Sequence, residues 1–412
     1  MVLHDFQIQR YYETNRFLMA TVNYYRKSQN ISKKQIQKDS IISHATYRRA
    51  EVTNFVDHPE ILVRIAHYFG ISTAYEPKLI QEINNDFNFL YTYLYLYDVE
   101  KMEQYYQKIE NRAKECEKSI LFSIYHFARL IYYIGSPMRV ELDKIAESLQ
   151  VLHFFEEDLL DVFKFLLEHY QFCYYSLIHD KVNTVRMAKQ VYLDSMKYPK
   201  LFPYILYQMS INYYFINDYA NSIFYSLEAL PKLEEDLNYN RAEYCQLNIA
   251  ICFERLNNTV KSKDILNRIF LHLMTVNSPH IDYLAKLTLA NCYVSEENYM
   301  DAVHIFEELE QNRTFRGENS LMILYCYYRL NDGESFNQLK NVLEDAFKKW
   351  YFYSGYYDAV LLLDALMNNQ KRLFLPAFKT VEKSFSMYGD SKIVDLIYKE
   401  MRQKKVIPSN NL

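Results

Sequence analysis

The hydrophobic and polar positions of this chain repeat with the spacing of amphipathic helices almost from end to end. Near the N-terminus, for example, one helix face would carry Phe17, Leu18, Val22 and Tyr25. Only six Gly and nine Pro occur, which leaves too few turn formers for an all-β fold. With 412 residues, the chain is also too long for one compact core. We therefore predict an all-α protein in which a small N-terminal head precedes an array of helical repeats.

Two short helices are predicted to follow the first one in the head. Ser32 is the expected N-cap of a second helix, because its hydroxyl can accept a hydrogen bond from a backbone N–H of the first turn. After a turn at residues 40–42, Ser43 should cap a third helix in the same way. Helical spacing then places Tyr47 and Ala50 on the inward face of this third helix.

A fourth helix is predicted to begin at Asp57 and Pro59 and to stop at Gly70. Over residues 22–71, the four helices resemble the Cro/repressor-like (XRE) helix-turn-helix family. The matching residues are Tyr25-Arg26, Asn30-Ile31-Ser32, Ile36, Ile42-Ser43, Glu51 and Ile65-Ala66-x-x-Phe69-Gly70-Ile71. Where the family usually has a small residue, an apolar residue and a turn glycine, this sequence has Gln37, Ser40 and Ile41. The resemblance implies a DNA-binding domain at residues 1–72.

The third helix of such a domain would read DNA. A recognition helix turns its outward residues toward base edges, and those residues here are His44, Ala45, Arg48 and Arg49. An arginine in this position can grip O6 and N7 of guanine with two hydrogen bonds. The candidates for phosphate contacts are Ser43, Thr46, Lys33 and Lys34. Residues 1–72 hold ten Lys or Arg against six Asp or Glu, a net charge of +4, whereas the whole chain carries −4.

An internal repeat organises the second half of the chain. Segments that begin at Pro203, Glu243 and Tyr283 are offset by 40 residues. Equivalent positions are apolar at Met209, Ile249 and Leu289, small at Ser210, Ala250 and Ala290, aromatic at Tyr213, Phe253 and Tyr293, and small again at Ser222, Ser262 and Ala302. The pattern resembles the tetratricopeptide repeat, which implies a right-handed α-solenoid with a concave face. Less regular pairs are predicted for 85–200, a looser fourth copy for 320–332, and final helices for 349–368, 372–386 and 391–404.

In the tetratricopeptide register, the first helix of each pair lines the concave face. This register places there Tyr204, Tyr207, Gln208, Tyr214, Tyr244, Asn248, Arg255, Thr288 and Asn291. Carboxamides can pair with a peptide backbone, arginine with a carboxylate, and tyrosine offers broad contact area. The set therefore predicts a site for an extended peptide, with Asn248 as the strongest candidate. For each residue the alternative is packing between repeats or a solvated helix face.

Head and repeats together resemble the Rgg–Rap–NprR–PlcR–PrgX (RRNPP) group of quorum-sensing regulators. The resemblance implies a cytoplasmic homodimer with a DNA-binding domain at 1–72, a connector at 73–84 and a peptide-sensing and dimerisation domain at 85–406. It further implies double-stranded promoter DNA and a short linear signalling peptide as partners. In that group Asn residues on inner helices hold the peptide backbone, which is the role expected of Asn248. Peptide binding would change the spacing of two heads relative to successive major grooves.

Other function classes have less support from the sequence. A Rap-like regulator that acts by protein–protein interaction, with a head that does not bind DNA, is the alternative that Ser40 and Ile41 favour. No phosphate loop, nucleophile elbow or metal-ligand spacing is present, so we expect neither an enzyme nor a metal or cofactor. The six cysteines are expected to be buried, reduced thiols. No apolar run is long enough to span a membrane, and the first residues lack the features of a signal peptide.

Overall fold

The fold is all-α in the computed structural model of the chain. The structure describes residues 3–13, 15–40, 42–53, 59–73, 76–135, 140–275, 278–311, 317–349, 354–385 and 392–404. Within these ranges there is no β-strand, which confirms the predicted fold class. None of the helices in the same ranges combines the length and the apolar character that crossing a membrane requires.

The chain forms two compact units. Unit 1 comprises Met1–Asn212 and Pro231–Arg241, and unit 2 comprises Tyr213–Leu230 and Ala242–Leu412. The predicted head thus belongs to the same unit as the first helices of the repeat region. This division differs from the predicted one, because the head packs against the helices that follow it instead of standing apart.

Short helices with local caps build the head of unit 1. Its described helices are α1 (Asn15–Ser28), α2 (Lys33–Ser40), α3 (His44–Thr53) and α4 (Pro59–Tyr68), after a 3-10 turn at Ile8–Glu13. The hydroxyls of Ser32 and Ser43 cap α2 and α3 as predicted, accepting from the amides of Gln35 and Thr46 at 3.1 Å each. The turn residue Ile41 and the predicted start of α4 at Asp57 lie outside the described residues.

One apolar cluster holds these helices together. Its buried members are Met19, Val22, Tyr25, Ile36, Ile42, Tyr47, Ala50, Leu62, Ile65, Ala66, Phe69 and Ile71. Gly70 ends the last helix in the left-handed region with a φ of 68°. There the amide of Ile71 donates to the carbonyl of Ala66 at 2.9 Å, which satisfies one of the last carbonyls of the helix.

The rest of unit 1 consists mainly of paired helices. They are α5 (Pro77–Leu96), α6 (Val99–Glu110), α7 (Ala113–Glu117), α8 (Phe122–Gly135), α9 (Leu142–Phe155), α10 (Asp161–Leu177) and α11 (Lys181–Ser195). Neighbouring pairs form by packing of α5 on α6, α8 on α9, and α10 on α11, as predicted for residues 85–200. The connector is shorter than the predicted 73–84, because Pro77 starts α5 and the buried Ile80 and Ile83 belong to that helix.

Longer helices continue the chain after residue 200. They are α12 (Phe202–Phe215), α13 (Tyr219–Glu235), α14 (Tyr239–Arg255), α15 (Thr259–Leu273), α16 (Pro279–Ser295), α17 (Tyr299–Gln311), α18 (Gly317–Leu330), α19 (Gly333–Lys349), α20 (Ser354–Met367), α21 (Lys371–Phe385) and α22 (Lys392–Gln403). The first three of these contribute residues to both units. The last three match the predicted final helices, although residues 350–353 and 386–391 and the predicted frayed tail at 407–412 lie outside the described residues.

The predicted 40-residue repeat has a structural counterpart in the turns of unit 2. Asn217, Asn257 and Glu297 each end a helix in the left-handed region, with φ angles of 60°, 57° and 63°. In all three turns the amide of the following residue donates to the backbone carbonyl five residues earlier, with N···O distances of 2.9, 2.8 and 2.9 Å. The same backbone hydrogen bond every 40 residues shows that the sequence repeat is also a repeat of local geometry.

Small residues provide the close approach between repeat helices in unit 2. Ser222 and Ser262, the small residues that follow two of the turns, are fully buried. Their hydroxyls receive the thiols of Cys252 and Cys292 at 3.2 and 3.4 Å, so the same contact recurs in consecutive repeats. A larger side chain at either serine would push the two helices apart.

Candidate functional site

Helix α3 presents the face that was predicted to read DNA. Tyr47 and Ala50 are buried in the head, and the Tyr47 hydroxyl donates to Oδ1 of Asn23 at 3.1 Å. The four outward residues are all exposed: His44, Ala45, Arg48 and Arg49. Anchoring by Tyr47 fixes the rotation of α3, and that rotation leaves two adjacent guanidinium groups accessible to solvent. Such a face suits an anionic surface.

The predicted phosphate contacts lie at the start of α2 and α3. Lys34 is exposed and Lys33 is half-buried. Ser43 and Thr46 take part in the cap of α3, because Oγ of Ser43 lies 3.1 Å from the Thr46 amide and 2.8 Å from Oγ1 of Thr46. The hydroxyls therefore have a structural role, whereas the helix terminus that they cap is favourable for negative charge.

Within unit 1, the head is attached to the helices that follow it through α1. Phe17 stacks on Phe155 of α9 with ring centroids 5.5 Å apart, and Tyr24 contacts Phe122 of α8 at 5.1 Å. The Tyr25 hydroxyl donates to the backbone carbonyl of Glu117 in α7. Burial raises the pKa of the Tyr25 phenol above its ordinary value, so the phenol remains a donor at neutral pH. Any displacement of α8 and α9 relative to α1 must break the ring contacts of Phe17 and Tyr24.

The three predicted peptide contacts of unit 1 are buried. They are Tyr204, Tyr207 and Gln208, and Nε2 of Gln208 donates to the Tyr204 hydroxyl at 2.5 Å. The two tyrosine rings cover the guanidinium of Arg241, at centroid distances of 5.3 and 4.8 Å. Arg241 donates to backbone carbonyls at the end of α5. These side chains thus surround a buried cation, and they do not line an open surface as the sequence predicted.

Two predicted peptide contacts of unit 2 are also buried. Both amide hydrogens of Asn248 point at hydroxyls of α13, with Nδ2 at 2.9 Å from Ser222 and 3.0 Å from Ser226. The Thr288 hydroxyl donates to the carbonyl of Leu284, one turn earlier in α16, at 2.7 Å. The expectation that Asn248 faces an open groove is therefore not met, because its carboxamide fastens α14 to α13.

The remaining candidates of unit 2 are half-buried: Tyr214, Tyr244, Arg255 and Asn291. The Tyr244 hydroxyl lies 2.7 Å from Nδ1 of His280. Arg255 lies within 4 Å of two carboxylates, those of Glu254 and Asp395. Asn291 differs from the others, because none of the described residues forms a hydrogen bond with its carboxamide. Of the predicted set, Asn291 is thus the residue whose donor and acceptor are both available to a ligand.

A polar stripe on α5 escaped the sequence analysis. Asn84, Asn88 and Thr92 are buried, and they hydrogen-bond the backbone of residues 3–8. The signal that could have revealed them is their spacing of four residues on a helix whose neighbouring positions are mostly apolar.

The cysteine thiols of the chain are buried and protonated at neutral pH. All six cysteines are buried, as predicted, and burial raises the pKa of the Cys173 and Cys252 thiols to about 12. At neutral pH these thiols carry almost no thiolate, the nucleophilic form. In the described part of the chain, no three His, Cys, Asp or Glu side chains come close enough together to hold a metal ion.

Comparison with known proteins identifies the fold. No protein-family model matches the sequence. A comparison with curated protein sequences finds no match either. Among solved structures, a Rap protein complexed with competence and sporulation factor aligns with a TM-score of 0.55 and 15% identity, over 79% of this chain and 98% of that one. The apo form of the quorum sensor NprR from B. thuringiensis aligns with a TM-score of 0.56 and 14% identity, over 79% and 99%. NprR in complex with its cognate peptide NprX gives 0.54 and 12%, over 80% and 99%. At these identities the similarity shows that the chain shares the helical-repeat fold of Rap and NprR.

Proposed function

We propose that this protein is a peptide-controlled transcriptional regulator. Its head, residues 1–72, binds promoter DNA through α3, and a short linear peptide bound by the repeat helices controls that binding. The protein works as a homodimer on a palindromic site, since helix-turn-helix heads read two half-sites one helical turn apart. It acts in the cytoplasm and catalyses no reaction.

The observation that carries the DNA-binding part is the exposed pair Arg48 and Arg49 on a helix that Tyr47 holds in place. A guanidinium on a recognition helix can form two hydrogen bonds with guanine, which is the commonest specific contact in the major groove. Losing one such contact costs about 1–3 kcal/mol of discrimination between bases. The positive net charge of residues 1–72 adds the attraction to phosphate that is independent of sequence.

A gel-shift titration with the intergenic DNA upstream of the gene tests this part. The double substitution Arg48→Ala with Arg49→Ala should weaken specific binding by roughly 30-fold or more, as expected for the loss of two base contacts. Arg64→Ala is the matched control, because Arg64 is an exposed arginine of the head that lies on α4 instead of α3. Wild-type affinity for the double variant would mean that α3 does not read DNA.

The phosphate candidates have a separate signature in the same assay. The logarithm of the binding constant falls with the logarithm of salt concentration by about 0.9 per phosphate contact. Replacing Lys33 and Lys34 by alanine should therefore lower the slope by roughly 2 if both lysines bind phosphate. An unchanged slope would mean that Lys33 and Lys34 do not contact phosphate, and it would say nothing about base contacts by α3.

The peptide-binding part is supported by the half-buried carboxamide of Asn291 and by the fold shared with NprR, which was solved in complex with its cognate peptide. A carboxamide can donate to and accept from a peptide backbone at the same time. Calorimetry with a synthetic C-terminal fragment of a small propeptide encoded beside the gene is the direct measurement. Asn291→Ala should weaken binding about tenfold or more, the cost of one such contact. Asn267→Ala, an exposed asparagine on α15, should leave it unchanged.

A second candidate function is a regulator that acts on another protein, with the head as part of the docking surface. It is favoured by the attachment of α1 to α7–α9, which makes the head part of a larger unit. A Rap protein also shares the fold. Absence of salt-dependent DNA binding, together with intact peptide binding, would favour this candidate over the first.

A further inference from the structure

Residues 3–8 lie along α5 and are held by side chains of that helix. The amide of Leu3 donates to Oγ1 of Thr92 at 3.0 Å. The amide of Phe6 donates to Oδ1 of Asn88 at 3.1 Å, and the amide of Ile8 donates to Oδ1 of Asn84 at 3.0 Å. We call Asn84, Asn88 and Thr92 the α5 ladder. Its three members are all buried, so they reach the backbone away from competing water.

The ladder meets the backbone of a segment that turns at Gln7. Gln7 has a φ of 51°, its amide donates to Oδ1 of Asp5 at 3.1 Å, and Ile8 begins the 3-10 turn. With this turn, the amides of Phe6 and Ile8 reach Asn88 and Asn84, which lie about one helical turn apart on α5. Every residue except proline has a backbone N–H, so the ladder can hold the backbone of many sequences.

Two side chains of the segment add selectivity. Oδ1 of Asp5 accepts from Nδ2 of Asn84 at 3.3 Å and from Nδ2 of Asn88 at 3.1 Å. Each ladder carboxamide thus binds the backbone with its oxygen and Asp5 with its nitrogen. The Phe6 ring is buried, with its centroid 5.1 Å from that of Phe87 in α5 and 5.6 Å from that of Phe163 in α10. The groove therefore fits an acidic residue followed directly by an aromatic one.

A cavity adjoins the segment at Leu3. Leu3 and Thr92 form part of the wall of a cavity of about 850 Å³, to which Tyr95, Phe202 and Lys232 also contribute. All of these residues belong to unit 1.

We propose that the α5 ladder and the aromatic pocket formed by Phe87 and Phe163 are a peptide-binding site, which residues 3–8 of the same chain occupy as a tethered ligand. The ligand class is a peptide with an Asp-Phe pair, a turn at the next residue and an aliphatic residue after that, as in Asp5-Phe6-Gln7-Ile8. A free peptide of this pattern displaces the tethered segment. This site is separate from the peptide contacts proposed on the repeat helices after residue 200, and it does not depend on DNA binding.

The test uses a synthetic peptide with the sequence of residues 3–10, acetylated at its N-terminus and labelled at its C-terminus. Fluorescence anisotropy should show one-to-one binding to a chain lacking residues 1–8, with a Kd of about 10 µM or lower. A short tether gives an effective concentration in the millimolar range, so the full chain should bind the same peptide about 100-fold more weakly. A folded truncated chain that does not bind the peptide at about 1 mM would overturn the proposal.

Substitutions distinguish specific binding at the α5 ladder from nonspecific binding. In the truncated chain, Asn88→Ala should weaken peptide binding at least tenfold, because it removes the contacts to the Phe6 amide and to Asp5. Asn85→Ala is the matched control, since Asn85 is the next-turn neighbour of Gln81 on the exposed side of α5. A peptide in which both Asp5 and Phe6 are replaced by alanine should not bind. Equal losses for Asn85→Ala and Asn88→Ala would contradict the assigned contacts.

A second variant keeps the proposal testable if the truncated chain does not fold. In the full chain, Phe6→Ala empties the aromatic pocket while the backbone tether remains. The wild-type peptide should then bind this variant at least tenfold more tightly than it binds the unchanged chain, because the competing segment is weakened. Equal affinity for the two chains would overturn the proposal, since it would mean that residues 3–8 and the peptide do not compete.

Discussion

The buried arginine Arg241 allows a quantitative test of how unit 1 is held together. Its side chain is only 2% exposed, and the described residues place no carboxylate in an ion pair with it. Instead, Nε donates to the carbonyl of Tyr95 at 3.2 Å, and Nη2 donates to the carbonyl of Leu94. These carbonyls end α5, where the helix dipole is negative. Three tyrosine rings, including that of Tyr97 at 4.3 Å, cover the guanidinium.

Replacing Arg241 with methionine should destabilise unit 1 by about 3 kcal/mol. Two hydrogen bonds from a charged donor contribute about 2 kcal/mol each, and three partly desolvated cation–π contacts about 1 kcal/mol each. Against this, the variant no longer buries a charge, which returns about 4 kcal/mol. For a unit of this size, the net loss should lower the midpoint of thermal unfolding by roughly 6–12 °C.

Urea denaturation followed by circular dichroism measures the loss, and hydrogen exchange at the last turn of α5 assigns it to unit 1. The local probe is needed because two units can unfold in separate steps. Arg268→Met is the control, since the Arg268 side chain is 65% exposed and, among the described residues, pairs with an exposed carboxylate one turn away. It should cost less than about 0.5 kcal/mol. A loss below about 1 kcal/mol for Arg241→Met would refute this account of the carbonyl and tyrosine contacts.

Three further substitutions test individual features of the fold. Burial lowers the pKa of His169 to about 3, so below pH 6.5 the unfolded chain binds a proton that the folded chain excludes. The stability of the wild-type chain should therefore hold above pH 6.5 and fall as pH drops, and His169 should account for about 2 kcal/mol of the loss at pH 5. Urea titrations at pH 7.5 and 5 should show that His169→Gln lacks this contribution to the loss. Lys392→Met should cost up to about 3–5 kcal/mol in a thermal melt, because the buried Glu254 loses the ammonium that lies 2.5 Å away and keeps the more distant guanidinium of Arg255 at 3.7 Å. A cycle with Glu254→Gln should recover most of the loss. Gly70→Ala should cost about 1–2 kcal/mol in the same melt because φ is 68° there, whereas Gly333→Ala, at a helix start with ordinary φ, should be neutral within about 0.5 kcal/mol.

The features that the sequence predicted well are those with local causes. The serine caps at Ser32 and Ser43 and the left-handed stop at Gly70 each involve residues within one helical turn. The 40-residue repeat was also visible, because the turns at Asn217 and Asn257 use the same residue type for the same φ angle. In such places the chemistry of a few neighbouring residues determines the backbone conformation, so a single sequence is enough to predict it.

The features that escaped prediction depend on distant parts of the chain. Tyr204 and Tyr207 look like groove residues until Arg241 is known to lie between them and α5. Asn248 has the residue type and the helix position of a peptide contact, but two serines of α13 use its amide hydrogens. A helical register predicts which residues share a face of a helix. It does not predict whether that face meets solvent, a ligand or another helix.

The position of residues 3–8 suggests how the proposed tethered segment and the head are coupled. The segment continues into the 3-10 turn at Ile8–Glu13 and then into α1, whose residues Phe17 and Tyr24 attach the head to α8 and α9. A ligand alters an equilibrium only through different affinities for its two states. A peptide that displaces residues 3–8 meets this condition, because it binds only the state in which these residues have left α5. The α5 ladder is therefore the site in unit 1 for which a free peptide competes with residues 3–8, the segment that leads into the head. The coupling between peptide and head cannot exceed the free energy with which residues 3–8 bind α5.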